Sequence, residues 1–290
     1  MEATELLKKV RKIEIKTRGL SRQIFAGEYH SAFKGKGMTF SEVREYQYGD
    51  SIRNIDWNVT ARFNHPYIKV YEEERELTVI LLIDVSGSEE FGTNVQLKRS
   101  LTTEIAAVLS FSAIQNNDKI GVILFSDRVE KFIPPKKGKQ HILRIIRELL
   151  EFEPQSKQTN MGEALRFFNN AIKKRSIAFV ISDFLDKNFE DSLKIAARKH
   201  DVIGLRIYDR RETDMPDVGL VRFVDAETGK MKWVDTSLAS VRRNYKNWWL
   251  QKNSEIDTVF TRNGIDNVKL QTGEDYVKPL INMFKKRGKR

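Results

Sequence analysis

Four short runs of aliphatic and β-branched residues recur along the chain: 77–83 (LTVILLI), 119–126 (KIGVILFS), 176–182 (SIAFVIS) and 201–208 (DVIGLRIY). Segments of helical periodicity separate them, at 94–116, at 138–152 and 161–174, and at 188–200. A strand that is apolar at every position is buried on both faces, and strands joined through helices run parallel. The pattern therefore predicts an α/β fold, a doubly wound and mainly parallel sheet with helices on both faces. Residues 128–135 (RVEKFIPP) read as a short edge hairpin ended by its two prolines.

The rhythm changes at both ends of this block. Residues 219–235 predict a β-hairpin with its turn at 226–229. A helix of about two dozen residues follows from Ser237, in which one ring of the Trp248–Trp249 pair is expected in the core and the other at the surface. NVKLQT at 267–272 reads as a last strand and 274–287 as a last helix, with the tail KKRGKR at 285–290 expected to fray. Upstream, residues 3–17 carry an apolar helical stripe. Residues 30–76 lack such periodicity and read as short strands and turns, with 65–74 extended. Two regions result: an N-terminal helix and β-rich region at 1–75, and the α/β domain at 76–290.

The 290 residues include no cysteine, which excludes disulfides, thiolate metal sites and a cysteine nucleophile. No apolar stretch approaches the eighteen residues of a membrane span, and the charged N-terminus lacks the core of a signal peptide, so a cytoplasmic protein is the expectation. The net charge of +11 is concentrated at the ends, with +5 in the last six residues and +3 in the first twenty. Specific nucleic-acid recognition is not expected. Weak electrostatic contact with an anionic surface is the reading these basic ends allow. The four histidines are scattered and form no ligand pattern.

Chemistry concentrates where strands end. In open α/β sheets ligands bind beyond the carboxyl ends of the strands. The run at 77–83 delivers Asp84, then Ser86 and Ser88 at alternate positions. The run at 176–182 delivers Asp183, and Thr159 precedes the helix at 161–174. The set Asp84, Ser86, Ser88, Thr159 and Asp183 offers only oxygen, which suits Mg2+ or Mn2+ far better than zinc. Two carboxylates and three neutral hydroxyls would leave such an ion able to accept one more anionic ligand.

D-V-S-G-S at 84–88, T-N-M-G at 159–162 and S-D at 182–183, in that order, resemble the metal-ion-dependent adhesion site of von Willebrand factor A domains. Glu89 and Glu90 depart from the apolar residue that often follows the second serine there. Upstream, Arg44, Glu45, Tyr46, Gly49, Asp50, Arg53, Asp56, Trp57, Ala61 and Arg62 resemble the hallmark segment of a bacterial von Willebrand A-like family of unknown function. Its members commonly accompany MoxR-type AAA+ ATPases. The resemblance implies a non-enzymatic, metal-dependent protein-binding module whose partner is a MoxR-like ATPase or its client, acting in assembly or maturation of other proteins. The residues at 44–62 read independently as structural ion pairs around a small aromatic core.

Two other readings stand beside it. A magnesium-dependent phosphatase of haloacid-dehalogenase type also places an Asp at a strand end, but it needs a second acid two residues later, where this chain has Ser86. No Walker loop is present for nucleotide hydrolysis. The basic termini could bind nucleic acid or an anionic membrane, in a salt-sensitive way.

Overall fold

The computed structural model describes residues 38–73, 77–90, 92–93 and 96–288. The helix expected at 3–17 lies outside the described residues. The strands are β1 (Met38–Glu45), β2 (Tyr67–Glu73), β3 (Thr78–Asp84), β4 (Gly92–Thr93), β5 (Gln96–Leu97), β6 (Lys119–Phe125), β7 (Val129–Lys136), β8 (Ile177–Ser182), β9 (Asp201–Tyr208), β10 (Leu220–Val224), β11 (Met231–Asp235) and β12 (Asp266–Gln271). The helices are α1 (Trp57–Phe63), α2 (Lys98–Gln115), α3 (Lys139–Glu151), α4 (Met161–Ala171), α5 (Glu190–Lys199), α6 (Arg210–Thr213), α7 (Ala239–Arg262) and α8 (Val277–Gly288).

Among the described residues one sheet has six strands in the order β12-β9-β8-β3-β6-β7. All its pairings are parallel except β6–β7 at the edge. β3 lies in the interior between β8 and β6, which explains its unbroken apolar run. Strand alternation sends Val79, Leu81 and Ile83 to the face covered by α2, α3 and α8. Ile80 and Leu82 face the side of α4, α5 and α7. On that second face Gly204 is a close-packing position: a Cβ there would lie 2.4 Å from the Phe260 ring of α7. Trp249 of α7 is buried and Trp248 is 45% exposed, as the sequence predicts for the pair.

Five sequence expectations need correction. Residues 57–63 form a helix, not turns, because Asp56 caps it by accepting the N–H groups of Asn58 and Val59. Trp57 is 68% exposed, so it does not belong to an aromatic core, although the ion-pair part of that reading holds: Arg44 grips Asp50 through two bonds of 2.8 and 2.9 Å. Pro134 and Pro135 lie inside β7 instead of ending it. They are tolerated because β7 is an edge strand and its register shifts between Ile120 and Val122 of β6. Finally, α8 continues to Gly288. Its Arg287 is buried and paired with Asp266 at 2.8 Å and with Asp201, so residues 285–288 of the tail expected to fray are tied to the start of β9 and β12, and 289–290 lie outside the described residues. The helix expected at 94–116 starts at Lys98, after the small β4–β5 ladder.

Candidate metal site at the sheet rim

Asp84 ends β3 and is 2% exposed. Its Oδ1 accepts the N–H of Ser86 at 3.0 Å and its Oδ2 accepts the hydroxyl of Ser182 at 2.8 Å. Burial, reinforced by the neighbouring Asp183 charge, pushes the Asp84 carboxyl up to about 7. The chain then turns so that the Oγ atoms of Ser86 and Ser88 stand 3.2 Å apart. Two backbone bonds hold this loop, from Val85 N–H to the Phe125 carbonyl and from Gly87 N–H to the Lys157 carbonyl, both 2.9 Å. The second bond couples the loop after β3 to the segment that carries Thr159.

Asp183 follows β8 and is also buried. Burial alone would raise its pKa, but the Lys98 ammonium, the Leu185 N–H and the Ser88 hydroxyl together outweigh it and hold the carboxyl below the usual range. Lys98 opens α2 and is fully buried; its Nζ lies 3.1 Å from Asp183 and 2.5 Å from Glu212 of α6. Burial raises the Glu212 carboxyl against the opposing pull of Lys98. Asp186, which accepts the Met161 N–H at the start of α4, is likewise raised by burial.

Asp84, Ser86, Ser88 and Asp183 are thus linked at one rim by direct hydrogen bonds and mutual charge. Thr159 joins from the adjoining loop, half-buried, where its hydroxyl donates to Glu227 at 2.8 Å. Asn160, not Thr159, caps α4, by accepting the Glu163 N–H. That leaves the Thr159 hydroxyl free of a capping role. Sequence reasoning missed Lys98, Glu212 and Glu227 as neighbours of the set and named Ser182 only within the S-D motif, without its bond to Asp84. Only Ser182 carried a signal, through its place beside Asp183.

The donor set fits a hard divalent cation. Every side chain of the five ends in oxygen, and Asp84 is a deeply buried carboxylate whose charged form is penalised by its surroundings. A cation would relieve that penalty. Among the described residues no three His, Cys, Asp or Glu are grouped as metal ligands. The cluster is instead built mainly of hydroxyls between two acids.

These features define a class: an α/β domain with a mainly parallel six-stranded sheet and a carboxylate and hydroxyl cluster on the carboxyl rim of its interior strands. Residues 42–255 match the family described as "Protein of unknown function DUF58", and the chain belongs to that family. The uncharacterized protein Rv1480 of Mycobacterium tuberculosis (strain ATCC 25618 / H37Rv) is 26% identical over 281 residues, covering 96% of this chain and 88% of Rv1480. Among solved structures, the conserved hypothetical protein BatB from Bacteroides thetaiotaomicron superposes with a TM-score of 0.50 at 16% identity, over 74% of this chain and 100% of BatB. The SpRpn10 VWA domain gives 0.38 at 12% identity, over 71% of this chain and 94% of that domain. The likeness to BatB concerns the fold alone.

Proposed function

We propose that this chain is a non-enzymatic, metal-dependent protein-binding module that works with a MoxR-like AAA+ ATPase in assembly or maturation of other proteins. The observation that supports the metal step is the convergence of Asp84, Ser86, Ser88 and Asp183, with Thr159 alongside, on one rim. Mg2+ or Mn2+ would be held by these oxygens and would present a residual positive charge to an acidic side chain of the partner. Support for the ATPase, or a client it acts on, comes from the resemblance of the residues between Arg44 and Arg62 to the hallmark segment. We place the chain in the cytoplasm, where an ATP-driven partner would meet it. Among the described residues no helix is long and apolar enough to cross a membrane.

The geometry supports binding over hydrolysis. The position two residues after Asp84 holds a serine whose oxygen lies against Ser88, and a hydroxyl there cannot serve as general acid or base near neutral pH. A magnesium-dependent phosphatase turnover abolished by Asp84→Asn would replace this reading. Binding through the basic tail is weakened by the burial of Arg287 against two aspartates.

Calorimetry tests the metal step. Wild type should show one Mg2+ or Mn2+ site that Asp84→Ala loses, and equal binding by both proteins would overturn the assignment. Capture of the ATPase should require the divalent ion. Thr159→Ala should weaken capture more than it weakens metal binding. Capture that persists undiminished in chelator would move the interface elsewhere.

A further inference from the structure

The rim is closed over in this structure. Asp84, Ser86, Gly87 and Asp183 are all buried, although a docking surface must expose what it presents. The tip of the β10–β11 hairpin lies against this loop. A Cβ added at Gly87, between the two serines, would stand 2.5 Å from the Ala226 carbonyl oxygen, so the missing side chain is what lets the tip seat there. The next residue, Glu227, accepts the Thr159 hydroxyl at 2.8 Å. The turn therefore touches both the loop after β3 and the segment before α4.

The hairpin is built to move as a unit. Among the described residues its two strands pair only with each other. Strand alternation puts Leu220, Val224, Met231 and Trp233 on one face, and all four are exposed, so little core burial holds the ribbon in place. The turn is ordered: Asp225 accepts the N–H groups of Glu227 and Thr228 at 3.0 and 2.8 Å, and Gly229 N–H closes back on the Asp225 carbonyl at 2.9 Å. The base is pinned. The buried Thr236 hydroxyl donates to the Gly219 carbonyl at 2.7 Å and accepts the Val218 N–H at 3.0 Å. Arg242 of α7 holds Asp217 at 3.0 Å and the Ser237 carbonyl at 2.9 Å. Between this base and the tip, Thr159–Glu227 is the single hydrogen bond among the described residues that ties 220–235 to anything outside 217–242.

We propose that the β10–β11 hairpin is a latched lid: the Glu227–Thr159 hydrogen bond holds its tip on the rim, and breaking that bond frees the Thr159 hydroxyl and the surface around Gly87 for an acidic partner. The proposal rests on the reading of the rim as a docking surface. One hydrogen bond at a partly exposed site is weak enough for a partner to displace, yet it closes the surface while no partner is present. Apparent affinity is then reduced by the fraction of chains that are closed.

The test uses the full chain. Because it has no cysteine, Gln158→Cys and Lys230→Cys place one spin label on the segment before α4 and one on the hairpin, both at exposed positions. Electron paramagnetic resonance then reads their separation. Glu227→Ala is the unlatched variant, and its exposed turn position spares the fold. Glu227→Gln is the control, since it removes the charge but keeps an oxygen that accepts the Thr159 hydroxyl. Glu227→Ala should raise the ratio of long to short separations about two- to tenfold, the factor one hydrogen bond supports, and Glu227→Gln should leave it unchanged. In Mg2+, a glutamate-rich peptide used as the acidic probe should bind Glu227→Ala more tightly by about the same factor. Separations unchanged by Glu227→Ala would overturn the latch. An equal gain in peptide affinity from Glu227→Gln would trace the gain to charge and overturn it as well. A hairpin that opens while peptide affinity stays at the wild-type value would overturn its gating role. Peptide binding by none of the three forms would instead overturn the reading of the rim as a docking surface.

Discussion

Replacing Lys98 by methionine keeps most of the side chain's volume and removes an ammonium that is 0% exposed. Two carboxylates lose their counter-charge, Asp183 at 3.1 Å and Glu212 at 2.5 Å, with side chains only 5% and 14% exposed. Removing one partner from a buried ion pair costs about 3–5 kcal/mol, because the remaining charge stays desolvated. At roughly 2 °C per kcal/mol for a chain of this size, the melting temperature should fall by about 6–10 °C. Thermal unfolding followed by circular dichroism in chelator measures this directly. Adding Glu212→Gln and Asp183→Asn to Lys98→Met should recover most of the loss, since no unpaired charge then remains. The same assay in Mg2+ adds a second readout. A cation at the rim would replace part of the missing positive charge, so Lys98→Met should gain more from Mg2+ than wild type does. A saturating ligand at a hundred times its Kd stabilises by about 2.7 kcal/mol, which sets the scale of the rescue. A melting temperature unchanged by Lys98→Met would refute the view that this ammonium holds the two acids in place. An equal response to Mg2+ would refute the exchange of one cation for another.

Three further outcomes are expected. His200 is buried, with Nδ1 bonded to Ser176 and its ring 4.3 Å from Phe168, and burial pushes it down to about 4. The unfolded chain takes up this proton near 6.5, so the neutral ring's contribution is whole above pH 6.5. It is lost as the pH falls toward 4, by at most about 3 kcal/mol; urea midpoints should fall over that range, and His200→Gln should flatten the slope. Arg206 is 1% exposed, stacks over Trp249 at 5.8 Å, and its three guanidinium nitrogens have no hydrogen-bond partner among the described residues. Arg206→Met should therefore be neutral or stabilising in urea unfolding, and a loss above about 2 kcal/mol would show that the charge is satisfied. Gly204→Ala should cost about 1–3 kcal/mol by the same measurement, because the Phe260 ring must move, and a silent substitution would contradict that packing.

The sheet was legible because its strands announce themselves. DVIGLRIY at 201–208 is β9 residue for residue, with every position from 202 to 207 buried between the two helical layers. The rim acids were legible for the same reason: Asp84 and Asp183 interrupt apolar runs where strands stop. The short helix α1 was not, because it buries no residue and depends on one cap instead of an apolar stripe. Lys98, Glu212 and Glu227 were hidden for another reason. Lys98 reaches Asp183 across 85 residues and Thr159 reaches Glu227 across 68. No local pattern separates these three from the other charged residues of the chain.

The hydrogen bond from Ser182 to Asp84 joins residues 98 apart. On the ribosome, at about 5–20 residues per second, β8 emerges roughly 5–20 s after β3. Until then the D-x-S-x-S loop holds a lone acid without Asp183 or the β8 hydroxyl beside it. Metal affinity of the proposed kind arises only when the last contributor is in place. On the proposed reading, a chain stopped short of β8 would lack Ser182 and Asp183 and could not form the rim site.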